Sequence, residues 1–288
     1  MNIVHVLFLG LLSEVHASSR LVVTFNHSSS LVDVPRGMNV VKQYGRRLVI
    51  ELEWEVNDAD LNYTRGVWPD AVDVEIDLPV STSQVYTNSS FPQPVSPMSN
   101  TLAIPGQSQW NLFGTWGLGL TGNETGNSTV AILDTGFDNA YGYDFVSDAS
   151  ISGDGDGRDQ NATDPGGTTD QCPVPTWHGT KMASIIRGYT GVMYGVAPGA
   201  TLLSLRVLGN CGSGTASDIT DAIVWAVGGL ITGIQNNTNP SKIISMSLSG
   251  KGGCPSFLQS AVDQALSIGA VVIAAAGNNA DDSTNYFP

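Results

Sequence analysis

Along the chain, hydrophobic positions fall into two regimes separated by a polar stretch. The first regime holds "RLVVTF", "RRLVIELEW" and "VDVEIDLPV", and in the last of these Val72, Val74 and Ile76 alternate with Asp73, Glu75 and Asp77. Alternation with period two is the signature of a strand with one buried face. These segments predict a small α+β module ending near Val80. From Ser81 to Gln107 the pattern gives way to Ser, Thr, Asn and Pro, with Pro92, Pro94, Pro97 and Pro105. That is the composition of a linker. The second regime begins at Thr129, where short apolar runs alternate with helical patterns: "TVAIL", "KMASIIRG", "TLLSLRVL", "ASDITDAIVWAV", "KIISMSL", "FLQSAVDQALSIG" and "AVVIAAAG". Continuous apolar strands separated by helices predict a parallel sheet covered on both faces, the doubly wound α/β arrangement. Functional groups in such sheets gather where the strands end, at their carboxyl edge.

Composition narrows the picture. Of 288 residues 41% are hydrophobic and 13% charged, with a formal net charge of −14. A phosphate-binding face needs a basic stripe, and this charge balance argues against nucleic acid. At the N-terminus an apolar stretch from Ile3 to Leu12 is followed by the small residues Val15 and Ala17, which reads as a secretory signal over residues 1–17. A buried N-terminal strand is the alternative, since no Lys or Arg precedes the apolar stretch. No later segment reaches the roughly 18 apolar residues of a membrane span. With secretion, the Asn-x-Ser/Thr acceptors at Asn26, Asn62, Asn88, Asn123, Asn127, Asn161 and Asn236 become readable as glycosylation sites. Cys172, Cys211 and Cys254 are an odd number for an oxidising compartment. Either one of them has a partner elsewhere, or one disulfide coexists with a free thiol.

Three stretches carry chemistry. In "STVAILDTGFD", Asp134 directly follows a buried strand, at the edge where functional groups collect; an Asp there also serves as an ordinary turn residue. In "PTWHGTKMASII", Met182, Ile185 and Ile186 are spaced for one buried helical face, and His178 lies one turn earlier on that side. The helix dipole disfavours an imidazolium at that position, and a nearby carboxylate restores it, which suits a general base. His178 is the one His after residue 27. In "AVVIAAAGNN", Asn278 ends another apolar strand after a run of small residues, placed to donate its amide to a developing oxyanion or to form a simple Gly-Asn turn.

Taken in order, "VAILDTG", "HGT" and "AAAGN", together with "SLRVLGNCGSGTASDITDAIVWA" and "IISMSLSG", resemble the subtilisin-like serine proteases over roughly residues 109–279. The resemblance implies a three-layer fold with a mostly parallel sheet, incomplete at its C-terminal end and preceded by a small α+β propeptide. Asp134 would orient and stabilise the imidazole of His178. His178 would take the proton of a nucleophilic Ser and return it to the leaving amine, and Asn278 would bind the tetrahedral oxyanion. An extended peptide would pair with Ser213 and Gly214, while Ser247, Leu248, Ser249 and Gly250 would border the pocket for the side chain before the cut bond.

The family's nucleophile lies in a Gly-Thr-Ser-Met-Ala stretch that does not occur within these residues. The expectation is a serine endopeptidase acting on polypeptides, of which this chain is an inactive portion lacking the Ser, with a pseudoprotease or peptide-binding relic as the alternative. A metal-dependent hydrolase would need ligand spacing that a single His does not supply. After "HGT", Lys181, Met182, Ala183 and Ser184 depart from the usual residues, with Ser184 in place of Gly. No cofactor is required by this chemistry. The acidic loop "SGDGDGRDQNATD" offers Asp154, Asp156 and Asp159 to a structural calcium, as in many relatives, or forms a solvated turn. Residues 18–80 resemble the inhibitory propeptides of the family, with residues 81–107 as linker and maturation region and residues 108–288 as the N-terminal part of the catalytic domain. Pro35 and Gly37 interrupt the helix expected first in that propeptide.

Overall fold

A computed structural model describes residues 20–25, 34, 38–44, 46–52, 56–68, 70–82, 128–138, 141–166, 176–188 and 195–288. The expected signal segment, most of the linker, Cys172 and the acceptors Asn26, Asn88, Asn123 and Asn127 lie outside the described residues.

The first module contains β1 (Arg20–Phe25), β2 (Met38–Tyr44), β3 (Arg47–Leu52), α1 (Asp58–Val67) and β4 (Ala71–Ile76). Its strands form an antiparallel sheet in the order β2-β3-β1-β4. Alternate residues of β1 and β3, namely Leu21, Val23, Leu48 and Ile50, are buried with Val74 and Trp68 in a core of the module's own. Of the alternating triplet, Val74 is buried in that core and Ile76 packs against it half-buried, while Val72 is exposed. Asn57 caps α1 in a reciprocal box with Asp60, which satisfies donors that the first helical turn leaves open.

A short strand, β5 (Pro79–Thr82), leaves this module and crosses the expected boundary with the linker. The larger body follows with β6 (Thr129–Asp134), β7 (Tyr141–Asp144), a single turn α2 (Ala149–Ser152), α3 (His178–Arg187), β8 (Thr201–Arg206), β9 (Ser213–Thr215) and α4 (Ala216–Ala226). It ends with β10 (Ile243–Met246), β11 (Leu248–Lys251), α5 (Ser256–Ser267), β12 (Val271–Ala274) and β13 (Tyr286–Phe287). β12, β10, β6, β8 and β7 form a wholly parallel sheet in that order.

Period two along β6 explains the layering. Ala131 and Leu133 face a core built with Leu203, Leu205, Ile244 and Met246 under Ile219, Ile223 and Ala226 of α4 and Phe257, Leu258 and Ala261 of α5. Val130 and Ile132 point the other way, onto Met182, Ala183 and Ile186 of α3. Ile185, expected on the buried face of α3, is instead 49% exposed: adjacent to Ile186 on the helix, it points about 100° away from it. No helix among the described residues is long and apolar enough to cross a membrane.

The small module docks on the larger body through polar contacts at two helix starts. Pro255 precedes α5 and makes no side-chain cap; the amide of Ser256 donates instead to Glu75 Oε1 at 2.8 Å. At α4, the amide of Ser217 donates to Asp77 Oδ1 at 2.9 Å and its hydroxyl to Asp77 Oδ2 at 2.6 Å. Carboxylates are favoured there because free amides and the helix dipole both point at them.

Candidate active site

Asp134 ends β6 and His178 opens α3, and the two side chains meet at the carboxyl edge of the parallel sheet. His178 Nδ1 lies 2.8 Å from both Asp134 oxygens. Asp134 is fully buried and His178 is 3% exposed. The amide of Thr135 donates to Asp134 Oδ1 at 2.8 Å and holds the carboxylate, while the amides of Val207 and Leu208 donate to the backbone carbonyl of Asp134 and fix its main chain. A carboxylate on Nδ1 selects the tautomer with its proton there and leaves Nε2 as the proton acceptor.

A second pair of residues locks this geometry. Thr135 Oγ1 accepts from the amide of Gly179 at 3.0 Å and donates to Asp164 Oδ2 at 2.6 Å. Burial pushes the Asp164 carboxyl up, and its bonds from Thr135 and Gly166 oppose that rise. Asp164, in "NATDPGG", gives no sequence signal of this role beyond its place near a turn. Trp177, immediately before His178, adopts φ 46°, a left-handed conformation uncommon for a non-glycine residue, and its ring covers Gly166 so closely that a Cβ there would lie 2.0 Å away. Ser184, the departure from the expected Gly, folds its hydroxyl onto the carbonyl of Lys181 at 2.8 Å.

Four of the remaining sequence-predicted residues, Ser213, Gly214, Leu248 and Ser249, lie opposite β5. β5 pairs antiparallel with β9 on one side, Val80 opposite Gly214 and Ser81 opposite Ser213, and with β11 on the other, Ser81 opposite Ser249 and Thr82 opposite Leu248. The amide of Thr82 donates to the carbonyl of Gly212 at 2.8 Å, and Val80 is buried in the main core. Gly250 pairs with Phe287 of β13, whose ring leaves no room for a Cβ at that position. Ser247 lies between β10 and β11. Asn278 follows Gly277 (φ 84°) beyond β12, exposed, and Ser249 Oγ lies beside Gly277. No hydrogen bond joins Asn278 to the Asp134–His178 pair among the described residues.

Two side chains of the acidic loop have partners within the protein. Asp154 pairs with the buried Arg206, which also holds Asp144 and the carbonyl of Ser152. Burial pushes the Asp144 carboxyl up to about 7 against the pull of Arg206. Asp159 accepts the amide of Asn161 at 2.7 Å, and among the described residues no group of three His, Cys, Asp or Glu side chains gathers to hold a metal ion. Arg158, from the same loop, reaches inward to Asp218 and Asp221. Its role was invisible in a stretch that reads as acidic.

Comparison with known proteins gives this geometry a context. The subtilase family profile matches residues 125–288. An extracellular protease of Xanthomonas campestris pv. campestris is 42% identical over 205 residues, covering 62% of this chain and 35% of that protein. An extracellular basic protease of Dichelobacter nodosus is 38% identical over 211 residues, covering 62% of this chain and 34% of its own length. The chain therefore spans about a third of the length of these curated relatives. The crystal structure of fervidolysin from Fervidobacterium pennivorans, a keratinolytic enzyme related to subtilisin, superposes with a TM-score of 0.63 over 93% of this chain and 41% of its own; at 21% identity this shows the fold alone. The family match spans more than half of the residues and contains both Asp134 and His178: the chain belongs to the subtilase family.

Proposed function

We propose that the chain is the N-terminal portion of a secreted serine endopeptidase, made with a signal over residues 1–17 and a propeptide over residues 18–80. The observation that carries this reading is the buried Asp134–His178 pair, with Nδ1 2.8 Å from both carboxylate oxygens. Asp134 holds the Nδ1 proton and stabilises the imidazolium; His178 Nε2 takes the proton of a nucleophilic Ser and returns it to the leaving amine. The Asn278 amide donates to the oxyanion, and Ser213, Gly214, Ser247, Leu248, Ser249 and Gly250 form the walls that an extended polypeptide pairs with. No cofactor enters these steps. Since Gly-Thr-Ser-Met-Ala does not occur in residues 1–288, these residues alone do not hydrolyse peptide bonds.

Inhibition by the propeptide is supported by β5, which takes both strand partners that a substrate would use. Cleavage at maturation then falls after Val80, in the segment following β5. Secretion accords with the extracellular relatives and with the exposed acceptors Asn62, Asn161 and Asn236, proposed to carry glycans. Cys254, exposed, is free to pair with a cysteine outside this chain.

The test is to read the source transcript past the codon for Pro288 and to treat the full product with a serine-directed fluorophosphonate. Labelling of that product, and its loss in His178→Ala, is the expected outcome. A transcript that stops at Pro288, or a full product that takes no label, ends the hydrolase reading in favour of a peptide-binding pseudoprotease.

A further inference from the structure

The start of β7 and the loop between α4 and β10 enclose a cup in the larger body, separate from the Asp134–His178 pair. Tyr141, at the amino end of β7, is 45% exposed and stacks on the buried Trp225, with ring centroids 6.2 Å apart and planes 27° from parallel. Trp225 is itself fixed, because its Nε1 donates to the carbonyl of Gln235 at 2.6 Å. The Tyr141 hydroxyl lies 3.0 Å from Thr238 Oγ1 and accepts the amide of Thr238 at 3.2 Å, so the ring is held in place although it meets solvent. Gln160, Gln235 and Asn236 also line the cup, and Gln160 Nε2 donates to Gln235 Oε1 at 2.9 Å.

The lining has one chemical character. Aromatic rings, amides and hydroxyls meet there, and no charged side chain joins them among the described residues. Amides and hydroxyls both donate and accept, as the hydroxyls and acetamido group of a sugar do, whereas an ionic ligand calls for a counter-charge. The paired glutamines leave the Gln160 oxygen as an acceptor and the Gln235 nitrogen as a donor. The exposed Tyr141 ring offers a platform to the apolar C–H face of a pyranose. At about 210 Å³ the cavity is smaller than the roughly 300–1,000 Å³ of a site for a drug-sized ligand, which limits it to a single ring. The sequence points to the same ligand independently: Asn236-Asn237-Thr238 is an acceptor for N-linked sugar, and its Asn and Thr both line the cup. We propose that the cup seats an N-acetylglucosamine ring, stacked on Tyr141 and bonded by Gln160 and Gln235, supplied either by a glycan on Asn236 or by a glycan of another molecule. The attached source rests on reading Asn236 as glycosylated; the cup itself does not.

The test begins with the 288-residue chain produced in a bacterial cytoplasm, without glycans. Saturation-transfer NMR with methyl N-acetyl-β-glucosaminide is expected to show saturable binding in the millimolar range, as suits one small ring on an open site, and Tyr141→Ala to weaken it about tenfold. Tyr63→Ala, which removes a ring exposed on α1, is expected to leave binding unchanged. No transfer, or equal transfer in Tyr141→Ala, overturns the cup. If Tyr141→Ala fails to fold, Gln160→Ala, at an exposed position, undergoes the same comparison, and unchanged binding there is equally decisive. The source of the ring is decided on chain secreted from eukaryotic cells, with glycans trimmed to their first sugar. A sugar on Asn236 that blocks the probe, with the block relieved by Asn236→Gln, assigns the ring to the chain's own glycan. Undiminished binding of the probe assigns it to another molecule, and a bare Asn236 ends the glycan reading at that position while the cup stands.

Discussion

Glycine 179 shows how little space the proposed catalytic geometry tolerates. A Cβ on this residue would lie 2.4 Å from the carbonyl oxygen of Gly136 and 2.9 Å from its nitrogen, both backbone atoms that cannot swing aside. The contact seats the first turn of α3 on the turn after β6, and so sets the distance from His178 to Asp134. Gly179→Ala is expected to cost about 1–3 kcal/mol, as overpacking does. Gly66 in α1 is the natural control, because no atom lies within 4 Å of its built Cβ. There Gly66→Ala is expected to stabilise by roughly 0.5–1 kcal/mol through the helical backbone preference alone. Urea unfolding of the two variants distinguishes them by sign. The Asp and His were readable from the sequence because each follows or opens an apolar run. Thr135 and Asp164 were not, since their roles depend on a contact between segments separated by 29 positions.

At the scale of elements, the start of α4 gathers titratable groups with opposite pH signatures. Burial acts to raise the Asp218 carboxyl, but the Lys42 ammonium and the Arg158 guanidinium outweigh it and hold Asp218 well below its ordinary value of 3.8. A depressed folded-state pKa means that the contribution is complete above pH 3.8 and is lost as the pH falls from there through the folded value. Asp77 has the reverse sign. Burial, only partly offset by Lys42 and Ser217, raises its carboxyl above 3.8, so its contribution is full below that pH and is lost as the pH rises through the folded value. Asp218→Asn is therefore expected to flatten the decline in stability below about pH 4 while destabilising at neutral pH by about 3–5 kcal/mol, the usual cost of breaking a buried pair. Asp77→Asn keeps an acceptor for the Ser217 amide and is expected to flatten the opposite limb. Denaturant midpoints measured from pH 3 to 7 report both slopes.

On the scale of the whole molecule, β12 is an edge strand of the parallel sheet among the described residues. β12 pairs with β10 on one side, and Val271 and Ile273 are each 54% exposed, next to Leu266 and Ile268 at the end of α5, which are about half exposed. A strand edge with alternating exposed apolar residues is a template for association. The 288-residue chain is expected to self-associate as its concentration rises, and Ile273→Lys, which puts a charge on that edge, is expected to suppress the effect. Sedimentation velocity at several concentrations checks it. An unchanged distribution in the variant would place the contact elsewhere.

The parallel sheet with its interleaved helices, Asp134 at the end of a strand and His178 at the start of a helix were determined by the sequence, because periodicity and local turn chemistry act over a few neighbouring residues. Tertiary structure alone decided three further matters. It laid β5 between β9 and β11, although Ser81 and Thr82 read as linker, because strand pairing satisfies backbone donors irrespective of side-chain type. It turned Asp154 to Arg206, 52 positions away along the chain. It also brought Lys42 to Asp218 and Asp221 across the two modules, since a buried carboxylate takes whichever cation the fold delivers and distance along the chain has no bearing on that attraction.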